Sequence, residues 1–551
     1  MPSTEPSRKV IIVGGGVAGL SAAHELAERG FTVEVYERRM VPGGKARSIQ
    51  VPGATDGRGA LPGEHGFRFF PGFYCHLPDT MKRIPVGNDG QTVFDNLVPT
   101  TRIEFARPGS PPMILLPRLP HSLDDFKTMM QGVITAEHME LGLTVADLEF
   151  FAERMWQIMT SCQERRIAEY ERIGWWYFLD APNRSKAYQD YLGEGLTRSL
   201  VAAKAKLAST KTVGDIGLQL VLNLVEPGFD SDRVLNGPTN QVWIQPWLDY
   251  LTTLGVRYNT GCNVTAIGCQ GKQITGITIT DAEGERVVTG DYYIIATPVE
   301  VTAALLNDPM IAADPTLEGI KSLSSMVAWM NGIQFYLREE VDLVRGHQIY
   351  LDSPWALTSL SQLQFWPSMD PVNLGDGGVR SIISVDISEW NVPGLNGKLA
   401  IDCTHQEIAE EVWAQLQATL NVDGQQVLSD YHSWFLDPDI VSLEHTDRQE
   451  ANLEPLLVNL VGTWQLRPDA RTAIGNLFLA GDYIRTWTDL ATMEGANESA
   501  RRAVNCILDA DGDHNYCDVW RLHEPLLLAP WRKHDQTRFE RGLPWNGTLL
   551  H

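Results

Sequence analysis

This sequence is poor in the features that mark several classes of protein. Its seven cysteines are scattered through 551 residues and form no Cys-x-x-Cys pair, which argues against disulfide reductase chemistry and favours a reducing compartment. No run of about 18 apolar residues occurs, so a membrane-spanning helix is not expected. Acidic residues outnumber basic ones by 69 to 45. The resulting net charge of -24 argues against nucleic acid as a partner, because phosphate backbones select clustered Lys and Arg.

Patterns for metal binding and targeting are missing as well. None of the 13 histidines belongs to an HExxH or a similar ligand cluster, so we expect no metal. The first residues contain neither an apolar signal core nor an Arg- and Ser-rich transit segment. We therefore expect a cytoplasmic protein, with contact at the inner face of a membrane as an open possibility.

The first fifty residues carry the parts of a dinucleotide-binding unit. A short apolar strand, KVIIV, runs into GGGVAG at residues 14–19 and then into a helical pattern. Gly14 permits the tight turn, Gly16 lets the backbone approach a pyrophosphate, and Gly19 lets helix and strand pack closely. The helix N-terminus offers unpaired N–H groups and a positive dipole end to the phosphates. A second strand ends at Glu37, at the usual distance for an acid that binds ribose. This unit alone does not separate FAD from NAD.

Two further segments point to flavin. Just past Glu37, the paired glycines Gly43 and Gly44 followed by Lys45 bring backbone and positive charge to a diphosphate. Far along the chain, the apolar strand in NLFLAGDY ends in Gly481-Asp482, whose carboxylate suits the hydroxyls of ribitol.

A helix N-terminus follows at TMEGA, residues 492–496. It can face the flavin edge where negative charge collects on reduction. An equally good interpretation is that Glu494 only favours the helix N-terminus electrostatically.

Together these segments resemble the flavin amine oxidase and phytoene desaturase superfamily. GEHGFRFFPGFYCHLPDTMKRI (63–84) resembles the GLHxFFGxYxN segment of plant-type phytoene and zeta-carotene desaturases, and ERRMVPGGKA (37–46) resembles their EARDVLGGKxA. NLFLAGDY with MEGA is similar to their C-terminal flavin signature, and residues 236–267 and 291–298 also look like theirs. One departure is that their GLH is replaced by Glu64-His65-Gly66.

The resemblance implies an α/β fold with FAD as cofactor: an FAD-binding Rossmann-like domain of the glutathione reductase type with an inserted α+β substrate domain. A chain of this length exceeds one ordinary core. The expected parts are the FAD domain at 8–75, 235–310 and 465–510, a helix-rich substrate part at 76–234, a mixed-sheet substrate part at 311–464, and a tail at 511–551.

The matched segments also imply the site residues. Expected FAD contacts are Gly14, Gly16, Ala18, Gly19, Glu37, Arg38, Arg39, Gly43, Gly44, Lys45, Ala46, Gly63, Glu64, His65, Val264, Ala296, Gly481, Asp482, Met493, Glu494, Gly495 and Ala496. His65, Arg68 and Tyr74 are the candidates near the isoalloxazine ring, although His65 is as readily a structural histidine.

The implied activity is desaturation of a long isoprenoid lipid, with hydride transfer to flavin N5 and reoxidation by quinone or oxygen. Three alternatives remain open: a redox-neutral polyene isomerase or hydroxysqualene dehydroxylase-like enzyme, a flavin amine oxidase, and a non-catalytic lipid carrier such as the Rab GDP-dissociation inhibitors. The first uses the same motifs. The second predicts a small aromatic-walled pocket, and complete flavin motifs argue against the third.

Two segments outside the motifs yield weaker predictions. HSLDDFKTMMQGVIT predicts a helix whose N-cap is Ser122. In the tail, LLLAPW is followed by Arg532, Lys533, Arg538 and Arg541. This cluster either contacts a membrane surface or packs against its own chain.

Overall fold

The computed structural model describes residues 8–87, 89–116, 141–195, 204–225, 232–441 and 451–549. The helix predicted from Ser122 lies outside these ranges.

The strands in chain order are β1 (Lys9–Val13), β2 (Thr32–Tyr36), β3 (Ser48–Val51), β4 (Leu61–Glu64), β5 (Phe69–Phe70), β6 (Pro85–Val86), β7 (Gln91–Thr92), β8 (Leu97–Pro99), β9 (Arg102–Arg107), β10 (Ser110–Leu115), β11 (Arg233–Leu235), β12 (Arg257–Asn259), β13 (Asn263–Gln270), β14 (Gln273–Asp281), β15 (Gly284–Val288), β16 (Tyr292–Ile295), β17 (Val327–Ala328), β18 (Asn331–Leu337), β19 (Gly346–Tyr350), β20 (Leu357–Ser361), β21 (Ser381–Ile387), β22 (Tyr431–Leu436), β23 (Leu456–Leu457) and β24 (Leu477–Leu479). The α-helices are α1 (Val17–Glu28), α2 (His76–Lys82), α3 (Val145–Thr160), α4 (Gln163–Ala168), α5 (Trp175–Phe178), α6 (Thr210–Val225), α7 (Gln245–Thr253), α8 (Val299–Leu305), α9 (Asp308–Ala313), α10 (Glu318–Leu323), α11 (His405–Leu420), α12 (Met493–Asp511) and α13 (Ala529–Glu540).

A five-stranded parallel sheet gathers three distant parts of the chain. Its order is β12-β2-β1-β16-β24. The central strands are almost entirely apolar because both faces of a parallel sheet are covered. Val13 pairs with Ile295, and Ile295 pairs with Leu479. The loops that follow β1, β16 and β24 therefore meet at one edge of the sheet.

A seven-stranded mixed sheet forms the second layer of the molecule. Its order is β10-β9-β19-β20-β21-β18-β22, and α11 packs on it with Trp413 4.9 Å from the ring of Phe335. Strands β9 and β10 come from the segment 76–234, which the sequence predicts as helix-rich. They pair with each other, and β9 pairs with β19. Each strand has only six residues, a length at which the apolar pattern does not separate strand from helix.

A cluster of helices lies beside these sheets. Trp175 and Phe178 are buried within it. The tail helix α13 docks there, because Asp535 binds the guanidinium of Arg165 at 3.0 Å and Trp531 contacts Trp156 edge to face. Within the described ranges, no helix combines the length and apolar character that crossing a membrane requires.

Candidate functional site

A cavity of about 460 Å³ lies between the edge of the parallel sheet and the seven-stranded sheet. The predicted contact residues that line it are Gly14, Gly16, Ala18, Glu37, Arg38, Gly43, Gly44, Lys45, Ala46, His65, Arg68, Tyr74, Val264, Ala296, Gly481, Asp482, Met493 and Ala496. These residues come from both ends and the middle of the chain, and the parallel sheet brings them together.

The glycine loop after β1 is shaped by three different constraints. Gly14 has a φ of 100°, in the region that favours glycine. A Cβ on Gly19 would lie 1.9 Å from the carbonyl oxygen of Gly14, so helix α1 and the loop touch backbone to backbone. A Cβ on Gly16 would meet only the Cα of Gly44, at 3.6 Å, so space beside Gly16 is open. This open cradle at the N-terminus of α1 fits a pyrophosphate.

Glu37 is buried at the end of β2 and faces the cavity. Its carboxylate accepts hydrogen bonds from the backbone N–H groups of Gly15 and Arg39, both at 2.8 Å. Because each carboxylate oxygen can accept a second bond, Glu37 can still bind the hydroxyls of a ribose.

The C-terminal segment completes the wall. Gly481 has a φ of 130°, and its N–H donates to Ser499 Oγ at 2.8 Å. Thr492 is the N-cap of α12, and its hydroxyl accepts from the N–H of Gly495 at 3.1 Å. Since Thr492 and Met493 line the cavity, the positive end of the α12 dipole faces the space inside.

The cavity thus has the parts of a flavin dinucleotide site, and comparison with known proteins decides its family. The profile of a family described as flavin containing amine oxidoreductase matches residues 17–508. The chain belongs to the flavin-containing amine oxidoreductase family. FAD is its cofactor, and the fold is the α/β FAD-binding fold predicted from the sequence.

The relatives of this flavin oxidoreductase include desaturases and oxidases. A probable zeta-carotene desaturase of Synechococcus elongatus is 25% identical over 535 residues, covering 91% of this chain and 99% of the relative. The zeta-carotene desaturase of Arabidopsis thaliana is 23% identical over 546 residues, covering 93% and 87%. A solved putrescine oxidase superposes with a TM-score of 0.59 at 13% identity, covering 92% of this chain and 99% of that one. Cyclohexylamine oxidase from Brevibacterium oxydans gives 0.56 at 14%, also covering 92% and 99%. At these identities the solved structures show the fold alone.

Six predicted FAD contacts do not line the cavity of this flavin oxidoreductase: Gly19, Arg39, Gly63, Glu64, Glu494 and Gly495. Gly19 instead packs against the glycine loop, as its spacing predicts. Arg39 binds Asp439 at 2.7 Å and Glu454 at 2.8 Å, so its guanidinium is paired with carboxylates. The loop after β2 is thereby tied to the segment that follows β22.

Glu494 lies in the first turn of α12 but caps the N-terminus of α2. Its carboxylate accepts from the backbone N–H groups of Cys75, His76 and Leu77 at 2.7 to 2.9 Å, and it lies 2.7 Å from His76 Nδ1. These groups form the N-terminus of α2, where a negative charge is favourable. Glu494 therefore does favour a helix N-terminus electrostatically, but the helix is α2 rather than α12. Gly495 is likewise used within the α12 cap.

Gly63 and Glu64 lie behind the cavity wall. A Cβ on Gly63 would come within 2.6 Å of the Phe435 ring. Glu64 is buried and binds Thr239 through the backbone N–H at 2.9 Å and the hydroxyl at 2.8 Å. Burial raises the pKa of Glu64 to about 7, although the charge of Arg68 opposes that rise.

This raised pKa predicts a pH-dependent effect of Glu64→Gln. A neutral Glu64 contributes stability that is fully present below its ordinary pKa of 4.5 and is lost as pH rises through about 7. The glutamine stays neutral, so we expect its melting temperature relative to the wild type to rise by about 2 °C or more between pH 5 and pH 8. Glu318→Gln, whose side chain is 59% exposed, is the control and should show no such trend. A constant difference for Glu64→Gln would contradict the buried, neutral carboxyl.

Among the catalytic candidates, His65 contacts a buried carboxyl group that is itself held by hydrogen bonds. Its Nδ1 lies 2.5 Å from Oδ2 of the fully buried Asp437. This contact places the carboxyl group of Asp437 directly against the imidazole ring. Asp437 is held in place by Asn331 Nδ2 at 2.5 Å and by the N–H of Asp439 at 3.0 Å. No sequence motif marks Asp437, which joins the site only through the end of β22.

His65, Asp437 and Asp439 also form a group whose ligand atoms lie within 4.8 Å of one another. Asp439, however, already binds Arg47 at 2.5 Å and Arg39 at 2.7 Å. The arginines offset the negative charge that would attract a cation. The absence of a metal therefore stays a prediction.

Arg68 and Tyr74 contribute polar groups to the same wall. Arg68 donates to the carbonyl oxygens of Ala46 and Lys45 at 3.2 Å and of His65 at 2.9 Å. Burial lowers the pKa of Arg68, and the negative charges of nearby carboxylates oppose that shift. Burial raises the pKa of Tyr74, so its phenol remains a hydrogen-bond donor at neutral pH.

Proposed function

We propose that this flavin oxidoreductase is a desaturase of a long isoprenoid lipid. The observation that carries the proposal is the continuity of its cavity, which extends from the FAD-binding edge into an apolar wall. That wall is formed by Ala208, Val213, Ile216, Leu305, Leu456, Leu457, Val458 and Leu490. A pocket with apolar walls and few polar groups suits a lipid substrate. The full-length similarity to zeta-carotene desaturases supports the same substrate class.

The chain supplies a proton acceptor beside this apolar wall. FAD, when bound, would supply the acceptor for a hydride from an allylic carbon of the substrate. We assign His65 Nε2 to take the proton that the neighbouring carbon loses, so that a new C=C bond forms. Nε2 is the ring nitrogen opposite the one that Asp437 holds, and it has no hydrogen bond to a described residue. Asp437 would position the ring and stabilise its charge after proton transfer.

Two cationic or dipolar groups would stabilise the negative charge that the cofactor gains. The N-terminus of α12 faces the cavity near Met493, and the guanidinium-bearing Arg68 lines the same cavity. Both act strongly because the surrounding walls exclude water. The electrons would leave to a quinone or to oxygen.

Amine oxidation is the second candidate, favoured by one observation. Phe67 and Phe69 pack against His347 with ring centroids 5.4 and 5.0 Å apart, and all three line the cavity. Aromatic walls of this kind attract amines through their π faces. We rank it second because the eight aliphatic residues of the apolar wall outnumber these three rings in the cavity lining.

The test is anaerobic incubation of the FAD-loaded protein with phytoene- or squalene-like lipids and, separately, with primary amines. Loss of flavin absorbance with lipids alone is the expected result. Bleaching with amines alone would overturn the proposal. Analysis of the lipid product separates desaturation from isomerisation or dehydroxylation, which use the same site. A protein that remains colourless after addition of FAD would instead support the lipid-carrier alternative.

We also propose a membrane-surface contact at the turn before α13. Leu526 and Leu527 are 87% and 81% exposed there. Exposed leucines side by side suit insertion among lipid headgroups. The nearby Arg532 pairs with Glu524 at 3.1 Å, so the apolar side chains rather than free cations support this contact.

A further inference from the structure

Three polar side chains enter the cavity from neighbouring strands of the seven-stranded sheet. Thr358 on β20 pairs with Asp386 on β21, and Ile349 on β19 pairs with Thr358. His347 stands two residues before Ile349 and therefore on the same face of the sheet. Directly paired side chains lie about 5 Å apart and diagonal ones about 7 to 8 Å apart. His347, Thr358 and Asp386 thus form one polar cluster, and all three line the cavity.

His347 is the member of this cluster whose side chain has a buried nitrogen without a hydrogen bond to a described residue. Its side chain is buried, with 7% of the residue exposed, and its Nε2 has no hydrogen-bond partner among the described residues. Burial lowers the pKa of His347 to about 4, so the ring is neutral at physiological pH. A neutral imidazole nitrogen either donates or accepts one hydrogen bond. The unpartnered Nε2 is thus available to a ligand.

Asp386 presents a carboxyl group to the same space. A Cβ on Gly66 would lie 2.2 Å from Asp386 Oδ1, so the glycine allows the carboxyl group to pack directly against the backbone at position 66. Burial raises the pKa of Asp386 to about 7, and the charge of Arg68 opposes that rise. Thr358 adds a hydroxyl that is also buried.

We infer that His347, Thr358 and Asp386 form a subsite for a hydroxyl group, so that the substrate is a hydroxylated isoprenoid rather than a pure hydrocarbon. This inference rests on the proposed function, because it names the substrate class of the same site. A hydroxyl donates one hydrogen bond and accepts others, which matches a carboxyl, an imidazole and a hydroxyl around it. A hydrocarbon would leave the buried Nε2 of His347 unpaired, and sites built to bind a hydroxyl discriminate strongly against the analogue that lacks it.

The experiment measures ligand binding to the oxidised, FAD-loaded protein without oxygen, by the change in flavin absorbance. The probes are geranylgeraniol and the hydrocarbon of the same chain that lacks the hydroxyl. We expect the alcohol to bind at least about 10-fold more tightly. His347→Phe, which keeps a flat ring between Phe67 and Phe69, should reduce the preference to about 3-fold or less. Thr358→Val provides a second variant of nearly unchanged shape.

The matched control is His432→Phe. His432 lies on β22 of the same sheet, pairs with Asp376 at 3.0 Å and does not line the cavity. This variant should keep the wild-type preference for the alcohol. Equal binding of both probes to the wild type would overturn the hydroxyl subsite and leave the proposed function intact. An unchanged preference in both cavity variants would also overturn it. Failure of both lipids to bind would overturn the proposed function as well as the hydroxyl subsite.

Discussion

The Gly19→Ala variant should be purified almost free of FAD. The added methyl group would lie 1.9 Å from the carbonyl oxygen of Gly14. Relief requires backbone movement, because neither neighbour is a flexible side chain. The loop at Gly14 is itself closely packed, since a Cβ built on Gly14 would lie 2.6 Å from the carbonyl oxygen of Ala296. Helix α1 must therefore move away from the loop and take its N–H groups with it.

A displacement of this size is costly because phosphate binding depends on aimed N–H groups. A shift of about 1 Å in a positioning element can reduce function about 100-fold, and we expect at least that loss of FAD affinity. The measurement is the ratio of flavin to protein absorbance after purification, followed by titration with FAD. Gly217→Ala is the matched control. Gly217 lies inside α6, and a Cβ there has no atom within 4 Å. It should keep a full complement of FAD and be stabilised by about 1 kcal/mol.

Normal FAD content in Gly19→Ala would contradict the close backbone packing. Loss of FAD in both variants would point to general misfolding instead. The melting temperature of each apoprotein distinguishes these outcomes. General misfolding would lower the melting temperature of both variants. Helix α1 is buried along most of its length, so its misfolding would be detected in this measurement.

His65→Gln should slow the reduction of bound flavin by a productive isoprenoid about 10²- to 10⁴-fold, the usual contribution of a positioned base. Glutamine keeps the length of the side chain but cannot accept a proton. Because the ring lies at the cavity wall rather than in the glycine loop, FAD content should fall far less than in Gly19→Ala. The measurement is the rate of loss of flavin absorbance after anaerobic mixing with saturating lipid.

Asp437→Asn tests the positioning role in the same assay. The amide is neutral, so it cannot stabilise the charge that His65 gains. We expect a smaller loss of kcat than for His65→Gln, with little change in KM. The matched control is Asp376→Asn, which alters an Asp–His pair of similar length on the exposed side of the seven-stranded sheet. Equal rates for the wild type and His65→Gln would rule out His65 as the proton acceptor.

The local parts of the site could be predicted because each lies within a short stretch of chain. Strand, glycine turn, helix and terminal acid follow one another between Lys9 and Glu37, and each has its own composition. The flavin segments near Gly43 and Gly481 are equally compact. By contrast, β9 and β10 are short, and β9 joins its sheet through the distant strand β19, so the pattern of 76–234 does not indicate them. The predicted domain bounds stay a prediction.

The sequence by itself determined the FAD-binding fold and predicted most of the residues of the glycine loop and C-terminal segment that line the cavity, because backbone turns and helix starts depend on neighbours in the chain. Only the tertiary structure decided the partners of the charged side chains. Arg39 turns to Asp439, and Glu494 turns to the N-terminus of α2. It also decided which polar groups meet the substrate space. Asp386 lines it from β21, and Asp437, just after β22, contacts His65 at its wall. The register that brings these strands together arises only when the sheet forms.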